Sequence, residues 1–169
     1  MTRAPTPGST HRRPTTPGRE PARGRRHVPR FLTRDWVEAF NAALADVRLP
    51  GPGPDAGLAA ADGRFTVAQE VRGVPDGDVR LLLRSGDGTL TLGLGPLDRT
   101  GGAAPDADVT VALQYTDAVA LATGRLSPAE ALNAGRIRVR GDLSVLTAGQ
   151  ELLSAARAHT RELDADTTY

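Results

Sequence analysis

The sequence predicts an α+β domain with a mainly antiparallel sheet of about five strands. Two observations predict it. Five short segments alternate apolar and polar residues, the period-two mark of a strand with one buried face. The order is one helix, a three-strand meander joined by short Asp-Gly connections, then strand, short helix, short helix, strand and long helix.

The chain has 169 residues, enough for one domain with a proper core. Its formal charge of +1 hides an asymmetry. Residues 1–30 carry eight Arg and one Glu, whereas residues 31–169 carry thirteen Arg and nineteen acids. Residues 1–30 are rich in Pro, Gly, Thr and Arg, with few apolar groups to offset the entropy of ordering, so they read as a disordered tail. The tail's charge suits weak contact with an anionic membrane surface; a plain solvated extension is the simpler reading. Arg12-Arg13 and Arg25-Arg26 lack the apolar stretch of a twin-arginine signal, and no apolar run is long enough to span a membrane. A cytoplasmic protein is expected.

Thr33 to Val47 reads as the first helix, with Trp36, Val37, Phe40, Leu44 and Val47 on one face. Asp35 and Glu38 lie near its N-terminus, where the helix dipole favours them. Trp36 has two readings, packing against the sheet or a lipid contact. The Pro/Gly stretch from Leu49 to Gly57 is a linker or loop. Phe65, Val67 and Val71 then alternate with Thr66, Ala68, Glu70 and Arg72. Gln69 falls on the apolar side of that strand and marks either a polar point in a pocket or a strand end or edge. Val79, Leu81 and Leu83 form the second strand, and Leu90, Leu92 and Leu94 the third. Residues 95–107 form another Gly/Pro-rich connection.

Val109, Val111 and Leu113 alternate with Thr110, Ala112 and Gln114. A short helix follows from Thr116 to Gly124. Ser127-Pro-Ala-Glu130 starts the next one: serine to cap, proline at the first position, glutamate to reach back. Ile137 and Val139 point to one side of the last strand, and Arg136, Arg138 and Arg140 to the other. Asp142 is placed to cap a helix from Leu143 to Arg157. On it Leu143, Leu146, Gln150 and Leu153 share one face, interrupted by Gly149, which suits close approach of a ligand or strand. The domain is expected over 31–163, with a frayed end over 164–169.

Little catalytic chemistry is encoded. There is no Cys and no Lys, which excludes disulfides, thiol nucleophiles, thiolate metal sites, Schiff bases and the phosphate-binding GxxxxGK loop. His11 and His27 lie in the tail and His159 on the last helix, with no obvious nucleophile nearby in sequence. Asp106 and Asp108 can form a carboxylate pair or a solvated strand start. Arg136, Arg138 and Arg140 form a basic stripe that suits an acyl carboxylate, a phosphate or plain solvent.

The ordered set Ala107-Asp108-Val109-Thr110-Val111, Asp117, Leu121, Gly124, Ala131 and Gly135-Arg136-Ile137-Arg138-Val139-Arg140-Gly141-Asp142, with an apolar helix after it, resembles the sterol carrier protein type 2 family. The resemblance implies a sheet covered on one side by helices, with an apolar tunnel between them. It implies intracellular binding or transfer of an apolar small molecule such as a fatty acyl chain, acyl-CoA, sterol or isoprenoid. Candidate lining residues are Val111, Leu113, Leu121, Leu132, Ile137, Leu143, Leu146 and Leu153. A monomer is expected, with no cofactor, no metal and no specific nucleic-acid partner. The alternative is an accessory or cofactor-free enzyme of the cyclase or isomerase type acting on a hydrophobic intermediate, with Asp108 and Asp117 as its first candidates.

Overall fold

The computed structural model describes residues 28–50, 62–97, 104 and 106–169. The tail up to residue 27, the expected linker over 51–57, and residues 98–103 and 105 of the expected connection lie outside the described residues.

The first helix, α1, spans Arg34–Leu44. Thr33 starts it, its hydroxyl accepting the Trp36 N–H at 3.4 Å. Trp36, Val37, Phe40 and Leu44, spaced by one, three and four, turn inward. Three strands follow, β1 (Phe65–Arg72), β2 (Val79–Gly86) and β3 (Thr89–Pro96). Asp87 and Gly88 join β2 to β3 with φ of 53° and 74°. A two-residue hairpin turn of type I′ needs positive φ at both positions, which explains the Asp-Gly pair. Next come β4 (Val109–Gln114), α2 (Tyr115–Ala122), α3 (Pro128–Asn133), β5 (Ile137–Gly141) and α4 (Leu143–Asp166).

The strands form one sheet in the order β3-β2-β1-β4-β5. β4 lies parallel to β1, while the other three pairings are antiparallel. The chain therefore crosses from the β3 edge to the far side of β1 before it resumes pairing. The register aligns Leu94, Leu81, Gln69, Val111 and Val139 in one row across all five strands. Side chains alternate along each strand, so the parallel rows through Val67 and Val71 share that face. All four helices contribute to one core on it, through residues such as Phe40, Val119, Ala131 and Val145.

Local chemistry fixes the joints. In α3 the Ser127 hydroxyl accepts the Glu130 N–H at 3.2 Å, and the Glu130 carboxylate accepts the Ser127 N–H at 3.0 Å, the expected capping box. Asp142 caps α4 by accepting the Ser144 N–H at 2.9 Å. Gly141 has φ of 104°, and a Cβ there would collide with the Asp108 carbonyl oxygen. That carbonyl accepts the Asp142 N–H at 3.1 Å, and the Asp108 carboxylate accepts the Thr66 N–H at 2.7 Å. The Gly-Asp pair thus lets β5 leave the sheet against the start of β4, while Asp108 ties β4 to β1. At the other edge, the Asn41 amide bonds both the N–H and the C=O of Leu92, at 2.7 and 2.8 Å. It docks α1 and occupies backbone groups of β3 that would otherwise be a free edge.

Three expectations are corrected. The last helix does not stop at Arg157, and residues 164–169 are not a frayed end. α4 continues to Asp166 because no Gly or Pro lies between Arg157 and Asp166, and Thr160 is buried near its end. Beyond it the Phe31 N–H donates to the Thr168 carbonyl at 2.8 Å, and the Thr168 N–H donates to the Pro29 carbonyl at 3.1 Å. The Phe31 ring stacks near Tyr169, with centroids 5.2 Å apart. The buried stripe of α4 also differs: it is Val145, Ala148, Gly149, Leu152 and Ala156, with Leu146 and Leu153 flanking it and Gln150 exposed. Small residues win the inner positions because the helix lies close to the sheet. A Cβ on Gly149 would sit 3.3 Å from Val67 and 3.6 Å from Phe65, so it is a strand that approaches the glycine.

Candidate functional site

The sheet has two chemically opposite faces. Away from the helices, Glu70 on the central strand is 1% exposed and forms ion pairs with Arg80 at 3.2 Å and Arg140 at 3.3 Å. A carboxylate buried this deeply requires such partners. Arg72, Arg84 and Arg138 share this face by alternation and are exposed. The expected basic stripe is therefore divided: Arg140 is engaged by Glu70, and Arg136, just before β5, pairs with the buried Asp117 of α2.

The face under the helices is built from Phe65, Val67, Val71, Val79, Leu81, Leu83, Leu90, Leu92, Leu94, Val109, Val111, Leu113, Ile137 and Val139, with Gln69 among them. None of these is charged, so the strands place their ionic groups outside and leave an apolar surface inside. Most of it is tightly covered: Val67, Val71 and Val109 are 2%, 0% and 1% exposed. The row through Gln69 is looser, with Leu94, Gln69 and Val139 only half-buried.

Of the candidate lining residues, Val111, Leu113 and Ile137 are buried side by side on this face, Leu113 directly opposite Ile137. Leu121, Leu146 and Leu153 are half-buried and pack against the same core. Leu132 and Leu143 stand outside it, 43% and 56% exposed. The helix rotation explains both: α3 turns the neighbouring Ala131 inward, and Leu143 is the first residue of α4, two positions before its inward stripe begins at Val145. At one end of the core, Phe31, Trp36 and Phe40 form an aromatic cluster, with Phe31 edge-on to Trp36 at 5.0 Å. Trp36 is buried, and its indole N–H has no hydrogen-bond partner among the described residues.

Two of the carboxylates considered for chemistry, Asp108 and Asp117, have structural partners. Asp108 holds Thr66, and Asp117 holds Arg136. His159 is exposed on α4. Among the described residues no cluster of His, Cys, Asp or Glu has metal-binding geometry, and no helix is long and apolar enough to cross a membrane. What the arrangement offers is an uncharged, apolar sheet face beneath the helices, with no catalytic cluster beside it among the described residues. Sequence reading missed Asn41 and the Glu70 pairs, since both depend on partners brought together by strand order.

A family model described as the SCP-2 sterol transfer family matches residues 40–154, more than half of the chain. No curated protein matches. Among solved structures, a sterol carrier protein 2 crystal structure superposes with a TM-score of 0.51 at 22% identity, covering 75% of this chain and 97% of that one. A possible sterol carrier protein from Thermus thermophilus gives 0.50 at 22%, covering 76% and 88%. A double mutant of the sec-alkyl sulfatase PisA1 is 28% identical with a TM-score of 0.41, over 55% of this chain; the chain spans only 13% of that enzyme's length.

Proposed function

The chain belongs to the SCP-2 sterol transfer family, and on that premise we propose that it binds and transfers an apolar small molecule, such as a fatty acyl chain, acyl-CoA, sterol or isoprenoid, held between the sheet and the helices. The observation that carries this reading is the segregation of charge. Five strands carry an uncharged helix-facing surface, and their arginines and Glu70 lie on the other side. Burial of hydrocarbon supplies the affinity, roughly 0.8 kcal/mol per methylene removed from water. Ten methylenes give about 8 kcal/mol before association entropy is subtracted, enough for useful binding with loose headgroup selection.

Native mass spectrometry of freshly purified protein tests the proposal. The expected result is a retained lipid mass, together with a melting temperature raised by an added C12–C18 fatty acid or its CoA ester. Apo protein that no lipid in that range stabilises would overturn it.

A further inference from the structure

Gln69 is out of keeping with its surroundings. It lies in the middle of the central strand, on the helix-facing side, paired with Leu81 on one side and Val111 on the other. Val67 and Val71, two residues either way, are 2% and 0% exposed. Gln69 itself is half-buried, and its amide makes no hydrogen bond among the described residues. The polar helix-facing side chain of β2, Ser85, is near a strand end and donates to the Gly63 carbonyl at 2.9 Å. An amide placed among apolar groups is costly unless something bonds to it, so Gln69 must meet water or a ligand. Its strand partners Leu81 and Val111 put apolar side chains on both sides of that meeting point.

We propose that Gln69 is the polar recognition residue of the site, and that its ligand presents a neutral hydroxyl or carbonyl group there. This rests on the lipid-binding reading above. A primary amide both donates and accepts, so it pairs with an alcohol or a ketone equally well. It offers no charge. The arginines of the strands lie on the opposite face, so an ionised carboxylate or phosphate at that depth would be desolvated with no strand cation to pair with. The interior thus selects a mostly hydrocarbon molecule with an uncharged oxygen, and an ionised head group, where there is one, stays outside this point.

The test is displacement of a bound fluorescent acyl probe from the full chain by 1-decanol, 2-decanone and undecane. The wild-type chain is expected to bind the alcohol and ketone more tightly than the hydrocarbon. Gln69→Leu is expected to lose about three- to tenfold for the two oxygenated ligands, the reach of one hydrogen bond, and nothing for undecane. Gln69→Met, closer in shape, is expected to behave in the same way and replaces Leu if that variant folds poorly. Equal losses for all three ligands would make Gln69 a packing residue and overturn the proposal. So would a wild-type chain that binds undecane as tightly as decanol, an outcome that leaves the lipid-binding reading standing. Failure of all three ligands and of the probe to bind the wild-type chain would overturn both.

Discussion

Gly141 shows how a single residue carries the geometry of a joint. Its φ of 104° belongs to the left-handed side, and a Cβ would strike the Asp108 carbonyl. Neither fault can relax separately, since the same carbonyl holds the Asp142 N–H. Gly141→Ala is expected to cost at least about 2 kcal/mol, from positive φ alone and then from the collision. In a chain of this size that lowers the melting temperature by roughly 5 °C or more. An unchanged melting temperature would show that β5 leaves the sheet by another route. The Gly-Asp pair could be marked as a turn and cap from sequence. Its reason could not, because the atom that forbids a side chain belongs to a residue at the far end of the hairpin-like β4–β5 unit.

Among the elements, helix starts were the most legible. The Ser127–Glu130 box and the Asp142 cap depend on residues two or three apart, and both formed as read. They also make stability depend on pH. The Ser127 hydroxyl and N–H hold Glu130 below its ordinary value, and the Ser144 hydroxyl and N–H do the same for Asp142. Such groups bind protons less readily folded than unfolded. Their contribution is present above the ordinary carboxylate range and is lost as pH falls through it. Asp164 acts in the opposite sense: burial raises it, so its contribution is lost as pH rises through its folded value. Combining Glu130→Gln with Asp142→Asn keeps both caps while removing both titrations. The variant is expected to show a shallower fall in melting temperature between about pH 5 and 3 than the wild-type chain. An identical fall would assign the acid sensitivity elsewhere.

The end of α4 was the least legible element. Its stripe of Val145, Ala148, Gly149, Leu152 and Ala156 has little hydropathy contrast, so the larger flanking leucines drew the inward face to themselves. Past Arg157 the apolar pattern thins, and the helix persists through Thr160 and through the pairing of Thr168 with residues 29 and 31, which no local signal reports. A chain beginning at Val28 is expected to melt with the full-length protein. One beginning at Leu32 loses the clasp and the buried Phe31 ring, at about 3–5 kcal/mol by analogy with other buried aromatic deletions. Equal melting of the two shortened chains would show that the clasp contributes nothing.

For the whole molecule, alternation within each strand gave the two faces correctly, and with them most of the core. Strand order was beyond reach: the parallel pairing of β1 with β4 and the contact of Asn41 with Leu92 join residues about forty to fifty positions apart. The site inherits that division. Val111, Leu113 and Ile137 could be picked out from their strands alone, while Leu132 and Leu143 depended on how short helices rotate onto the sheet. The Glu70 pairs with Arg80 and Arg140, which account for the charge outside, join three strands of which two are not neighbours.

The central claim is that an apolar molecule lies against the uncharged face of the sheet. Intermolecular nuclear Overhauser effects between an unlabelled C12–C18 lipid and methyl-labelled protein test it most directly. Contacts are expected from the lipid chain to methyl groups of the row through Gln69, namely Leu94, Leu81, Val111 and Val139, and none to Ala68 or Ala112 on the opposite face. Contacts confined to Ala68, Ala112 and the exposed leucines, or no contacts at saturating lipid, would contradict it.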